Sequence, residues 1–261
     1  MPGERPVRTG TAALVPDGDG RRGWTVMVNG VPSSHRDLDD PLRLDFEYMR
    51  WIGDVLDLLA PDGEPLDTLH LGGAGCTLAG YLAATRPTSR QLVVEIDADL
   101  VELVRQAFGL RSTANLRVRV GEARQVLTAL PDDRYQVIVR DAFALAEVPR
   151  HLTTEEFLAE VHRVLRPGGV YLANIGDAAV MDLARSEAAT ALTVFRRAVL
   201  IAEPAHFHGR RYGNVVLAAS DAELPVAALG RRLASGAVRA RMLEDDEVRA
   251  FAAGHRSRHD P

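Results

Sequence analysis

Between Asp67 and Ala219 the chain alternates short apolar runs with segments of helical periodicity, and this alternation constrains the fold more than any other feature. The runs are Asp67 to Leu71, Gln91 to Ile96, Leu116 to Val120, Tyr135 to Val139, Val170 to Ile175, Ala198 to Ala202 and Asn214 to Ala219. Helical segments separate the first six. Apolar strands joined through helices pair in parallel and are covered by helices on both faces. The last two have no helix between them, so a parallel crossover is excluded and an antiparallel hairpin is expected. The pattern predicts an α/β, Rossmann-like fold with a seven-stranded, mostly parallel sheet that ends in an antiparallel hairpin.

The flanks are smaller. Thr11 to Val15 and Trp24 to Val28 surround a turn-forming stretch of Gly, Pro and Asp and predict a small N-terminal β-hairpin region over residues 1–40. Asp40 as N-cap, Pro41 at the first helical position and the spacing of Leu42, Phe46, Met49, Ile52, Leu56 and Leu59 predict a long amphipathic helix that stops before Pro61. Thr153 and Glu156 read as a capping box, with Leu152 and Phe157 as its hydrophobic staple. The Rossmann-like domain is expected over 41–235. Residues 236–261 read as a polar C-terminal tail with a short acidic helix around Glu244 to Glu247 and loosely held last residues.

Composition narrows the function. A chain of 261 residues with 46% hydrophobic residues can bury a large core. Its one cysteine, Cys76, excludes an intramolecular disulfide and agrees with a reducing, cytoplasmic setting. No apolar stretch approaches the ~20 residues of a membrane span. A net charge of −5 with dispersed arginines gives no footprint for nucleic acid. The expected partner is a small molecule.

In an open α/β sheet the ligand lies beyond the carboxyl ends of the strands, near the point where strand order reverses. The first such loop, Leu71 to Thr77, holds Gly72, Gly73 and Gly75, which let the backbone approach a ligand closely. The second strand ends on Glu95, placed to accept hydrogen bonds from ribose hydroxyls, while Asp97 is expected to cap the next helix. After the third come Gly121, Glu122 and Ala123, where the carboxylate can meet an adenine amino group and also sit favourably in a first helical turn. Asp141 ends the fourth strand and faces the middle of the site. The spacing after Gly73 and Gly75 puts Leu78 where a dinucleotide fingerprint needs glycine, which favours an adenosyl sulfonium without phosphate.

Asn29-Gly30-Val31-Pro32-Ser33, a helix carrying Phe46-Glu47-Tyr48, and then LHLGGAG, VVEID, GEAR, VIVRDAF, HLTTEEF and LRPGGVY in that order resemble the spermidine synthase-like (polyamine aminopropyltransferase-like) family over residues 24 to 219. The resemblance implies a class I S-adenosylmethionine-dependent methyltransferase fold and a donor that is S-adenosylmethionine or its decarboxylated form, without a metal. It also allows a homodimer. Aminopropyltransferases of that family carry an acid in the glycine loop, at the position read as Gly75, and a second acid after the strand-end aspartate, where this chain has Ala144. Ser33 stands where they have glutamine.

The expected function is group transfer from a sulfonium, with Asp141 orienting or deprotonating an amine or hydroxyl acceptor. Methyl transfer ranks first because Gly75 and Ala144 remove carboxylates that a polyamine and a decarboxylated donor would use. Aminopropyl transfer is the first alternative and a non-catalytic nucleoside-binding protein the second. His151 and Tyr212 are acceptor-side candidates, with Asn214 beside Tyr212. His206 and His208 read as exposed loop histidines, and Arg140, Arg210 and Arg211 as surface arginines. Cys76 reads as a small packing residue.

Overall fold

The computed structural model describes residues 3–18, 20–73, 75–110, 113–145, 147–236 and 239–261. Four strands open the chain: β1 (Arg5–Val7), β2 (Gly10–Pro16), β3 (Gly23–Val28) and β4 (Val31–Asp37), forming an antiparallel sheet in the order β1-β2-β3-β4. The expected hairpin is therefore its central pair. The β3–β4 turn is made by Asn29 and Gly30, both at positive φ, which matches the twist of a two-residue hairpin.

Helix α1 spans Glu47–Leu58 and begins at Phe46, later than the Asp40-Pro41 signal predicts. The Asp40 carboxylate accepts from the Leu42 amide at 3.0 Å and makes a local turn. Arg43 is then held bidentately by Asp45 at 2.7 and 2.8 Å and donates to Asp17 at 3.0 Å and Asp37 at 3.2 Å, contacts made from a segment outside the helix. Carboxylate oxygens of Asp17 and Asp45 and a ring nitrogen of buried His35 lie within 4.8 Å of one another, and Arg43 supplies the cation there.

The main unit continues with β5 (Thr68–Leu71), α2 (Thr77–Thr85), β6 (Gln91–Glu95), α3 (Ala98–Phe108), β7 (Leu116–Val120), α4 (Ala123–Thr128), β8 (Tyr135–Arg140), α5 (Glu155–Val164), β9 (Leu165–Asp177) and α6 (Asp182–Val194). It ends with β10 (Arg197–Ala202), α7 (Pro204–Phe207), β11 (Gly213–Ser220), α8 (Val226–Ser235), β12 (Arg241–Glu244) and α9 (Asp245–Ala252). The sheet order is β12-β10-β11-β9-β8-β5-β6-β7. Strands β5 to β9 pair in parallel, and β11 pairs antiparallel with both β9 and β10. The sheet has eight strands rather than seven, because Met242 and Leu243, inside the expected polar tail, pair with β10 and carry the apolar side chains of an edge strand.

Alternation along the strands divides the core. Val137 and Val139 of β8 face Ile52, Leu56, Leu82 and Leu229 of α1, α2 and α8, whereas Ile138 faces Leu127, Phe157, Val161 and Ala188 of α4, α5 and α6. Leu14 and Val26 pack against Val93, Leu100 and Val104, so the N-terminal sheet shares a core with α3 and β6. No helix among the described residues is long and apolar enough to cross a membrane.

Two local expectations shift by a residue or more. The N-cap of α5 is Thr154, whose hydroxyl accepts from the Phe157 amide, while the Thr153 hydroxyl donates to the Arg150 carbonyl at 2.7 Å and closes the preceding 3-10 turn. Glu156 instead accepts from the Asp260 amide at 3.0 Å. The last residues are held rather than loose: Asp260 pairs with Arg124 through two contacts of 2.7 Å and accepts from the Thr154 hydroxyl at 2.9 Å.

Candidate active site

Strand order reverses between β5 and β8, and the carboxyl ends of the strands on either side open into a cavity of about 610 Å³. Its walls run from β7 through β6, β5, β8 and β9 to the start of β11. The N-terminal sheet, from Val28 to Ser34, and the first turn of α1 complete it.

The glycine loop follows β5. Gly72 has φ +85°, and a Cβ there would lie 2.2 Å from the Asp141 carbonyl oxygen, so β5 and β8 can end side by side only with glycine. Gly72→Ala is expected to cost roughly 1–3 kcal/mol of stability through strain and overpacking, measured by urea denaturation; a stability equal to the parent's would refute this account. Gly73 lines the cavity against Val93. Gly75 does not line it: its amide donates to the Ser34 hydroxyl at 2.8 Å, and a Cβ would meet that Oγ at 2.3 Å. The side-chain direction at 75 therefore points to β4, which removes the charge argument attached to this position. Its neighbour Ala74 lies outside the described residues.

Glu95 lines the cavity at the end of β6, with one oxygen accepting from the Asp97 amide at 3.1 Å. Asp97 caps α3 through the amides of Asp99 and Leu100, both at 3.0 Å, and also holds the amide and hydroxyl of Thr9 at 2.7 Å. Glu122 caps α4, accepting from the amides of Arg124 at 3.0 Å and Gln125 at 2.8 Å, and lines the cavity with Ala123. Burial pushes Glu122 up, but those amides and His151 outweigh it and hold the carboxyl below its usual range. His151 reaches Glu122 at 3.0 Å, which places it at the β7 end and not at the acceptor end where it is expected.

Asp141 follows β8 at the centre. Its Oδ2 accepts from the Tyr48 hydroxyl at 3.1 Å and its Oδ1 from the Asn174 amide at 2.9 Å. Burial raises its pKa above the ordinary carboxylate value, against the opposing pull of Asn174, Tyr48 and Arg140. Burial and the neighbouring Asp141 charge hold Tyr48 protonated as a donor. Behind them Arg140 is fully buried, not on the surface; it pairs with Glu187 of α6 at 2.8 Å and reaches the carbonyls of Leu152 and Asn174.

The far end is apolar. Phe143, Ala144, Leu145 and Pro149 line it with Tyr212, which is 60% exposed at the rim, its hydroxyl lying over Gly176. Asn214 also lines the cavity. His206 is buried against Gly213 and Ala178, whereas His208 is exposed as expected. Cys76 is buried and its thiol is pushed up to about 12, as befits an inert packing residue. Tyr48, Asn174 and Glu187 escape the sequence reading. Asn174, a lone amide in the apolar run of β9, is the one with a visible signal, because a buried polar residue carries more information than another apolar one.

Residues 69–169 match the family described as "Methyltransferase domain". A crystal structure of a probable spermidine synthase from Corynebacterium glutamicum ATCC 13032 is 39% identical with a TM-score of 0.94, covering 100% of this chain and 97% of that one. The polyamine aminopropyltransferase of Vibrio vulnificus (strain CMCP6) is 34% identical over 134 residues, 51% of this chain and 44% of that protein. A putative O-methyltransferase of Mycobacterium avium (strain 104) is 30% identical over 158 residues, 58% of this chain and 67% of that protein. The chain spans about half the length of the curated aminopropyltransferases it matches. On the full-length similarity, the chain belongs to the spermidine synthase-like family, built on the class I S-adenosylmethionine-dependent methyltransferase fold.

Proposed function

We propose that the chain transfers an aminopropyl group from decarboxylated S-adenosylmethionine to an amine, with Asp141 orienting and deprotonating the acceptor. The observation that carries this reading is the charge of the cavity wall. Glu47, Glu95, Glu122 and Asp141 line it, and among the described lining residues there is no Lys or Arg. A decarboxylated donor brings a sulfonium and an ammonium, both attracted by such a wall. Intact S-adenosylmethionine adds a carboxylate that no Lys or Arg among the described lining residues meets. Methyl transfer loses its first place because Gly75 does not line the cavity.

In this reading Gly72 and Gly73 let the donor approach the backbone, Glu95 accepts from the ribose hydroxyls, and Glu122 with Ala123 takes the adenine. A carboxylate has lone pairs beyond those used in capping, so Glu122 can serve both roles. The amine nitrogen attacks the propyl carbon on sulfur in line. The N–C bond forms as the C–S bond breaks, its electron pair returns to sulfur, and neutral methylthioadenosine leaves. The proton passes through Asp141 to solvent.

Ala144 supports a second reading, methyl transfer from the intact donor, because a polyamine would find one acid fewer than in the family's aminopropyltransferases. Product mass separates the two. With both donors and a panel of amines, the expected product is the amine enlarged by one aminopropyl unit. Methylated amine from the intact donor would replace this reading with the second, and donor binding without any product would leave a nucleoside-binding protein.

A further inference from the structure

We propose that the acceptor is a primary amine with a single ammonium on an apolar alkyl or aryl body, not a polyamine. This deepens the reading above and rests on it. The carboxylate that the fold holds in place at the acceptor end is Asp141, with Tyr48 and Asn174 fixing its two oxygens. Past Asp141, the described lining residues between 142 and 149 are all uncharged: Ala142, Phe143, Ala144, Leu145 and Pro149. Glu147 lies in the same turn but is exposed and does not line the cavity.

The other acids are elsewhere. Glu95 and Glu122 stand at the ends of β6 and β7, on the donor side, and Glu122 is already bonded by two amides and His151. Glu47 lines the cavity from the first turn of α1 but is exposed, where an ion pair contributes little. A diamine anchored on Asp141 would lay its second ammonium against Phe143, Leu145 and Tyr212, which offer it no carboxylate and which it could cover only by giving up water. An apolar tail gains from the same wall. Phe143, Leu145 and Tyr212 are 37%, 79% and 60% exposed, a concentration of accessible apolar surface at a cavity mouth that a hydrophobic body would cover.

The chemistry is that of the proposed transfer: the amine's lone pair forms the new N–C bond, sulfur takes the C–S pair, and one proton leaves through Asp141. The test compares n-pentylamine with 1,4-diaminobutane, in which an ammonium replaces the terminal methyl, using the full chain and the decarboxylated donor. The kcat/KM for n-pentylamine is expected to exceed that for the diamine by about tenfold or more, on the scale of one methylene-sized apolar contact. Ala144→Asp, which adds the missing acid on an exposed turn, is expected to move the ratio toward the diamine. A parent enzyme that prefers the diamine overturns this inference and leaves the transferase reading intact. Donor binding, followed separately by titration, with no turnover of either amine overturns both.

Discussion

Asp141→Asn is expected to lower kcat by about two to four orders of magnitude, the usual contribution of a positioned general base, with donor affinity close to the parent's. The substitution is nearly isosteric, and the Tyr48 hydroxyl can turn from donor to acceptor, so the surrounding contacts have a way to persist. A variant that keeps more than about a tenth of the parent rate would show that Asp141 takes no proton. The pH profile adds an independent readout. Burial raises the Asp141 pKa, so the acidic limb of kcat/KM is expected above the ordinary aspartate value of about 3.9. Activity rises with pH through this limb, because only the anion accepts the proton. Tyr48→Phe and Asn174→Leu each remove a donor that favours the anion, so each is expected to move the limb upward; a downward movement would contradict the geometry. The linkage to stability has the opposite sense. A carboxyl whose folded pKa is raised contributes most while protonated and loses that contribution as pH rises through its folded pKa. Asp141→Asn, uncharged at every pH, is therefore expected to flatten this part of the stability profile.

Asp141 is legible in the sequence because it ends an apolar strand in an alternating α/β pattern, and the fold places strand ends at the site. Glu95, Glu122 and the Gly72-Gly73 turn are legible for the same reason. Tyr48 is not, because its ring packs in the core as the helix pattern implies, and only the hydroxyl escapes toward Asp141, a contact between residues 93 apart in sequence. His151 shows the same limit: a residue in a loop can reach any neighbouring strand end, and this one reaches back to Glu122. Gly75 shows that a glycine in a ligand-binding loop can be glycine for packing, here against Ser34. The start of α1 fails through electrostatics, since Arg43 finds three carboxylates around a non-helical segment and none of them is a helical neighbour at i±4. Strand β12 follows the same logic, being too short and too polar to read as a strand without its partner β10.

The buried pair Arg140–Glu187 is expected to divide unequally when each member is removed. Breaking a buried ion pair costs about 3–5 kcal/mol because one charge stays behind, but the two charges differ in what they can do next. Glu187 left alone can take up a proton; burial already pushes its pKa up against the opposing Arg140. A guanidinium left alone cannot lose one. Arg140→Met is therefore expected to be the milder variant in denaturant unfolding and to recover stability at acid pH. Its raised Glu187 contributes stability that is present while protonated and lost as pH rises through the folded pKa. Glu187→Leu is expected to stay destabilised across the same range. Equal losses with no pH dependence would mean that Glu187 is not confined as the structure places it. The double variant is expected to recover much of the lost stability, because Arg140 Nε, Glu187 Oε1 and Tyr171 Oη have no hydrogen-bond partner among the described residues and the parent pair is incompletely compensated. Recovered stability need not restore turnover. Arg140 also reaches the Asn174 carbonyl, and the Asn174 amide holds Asp141. If the double variant folds as firmly as the parent but its acidic limb has moved, the pair positions the working carboxylate; if the limb is unchanged, its role ends with the packing of α6 against the sheet.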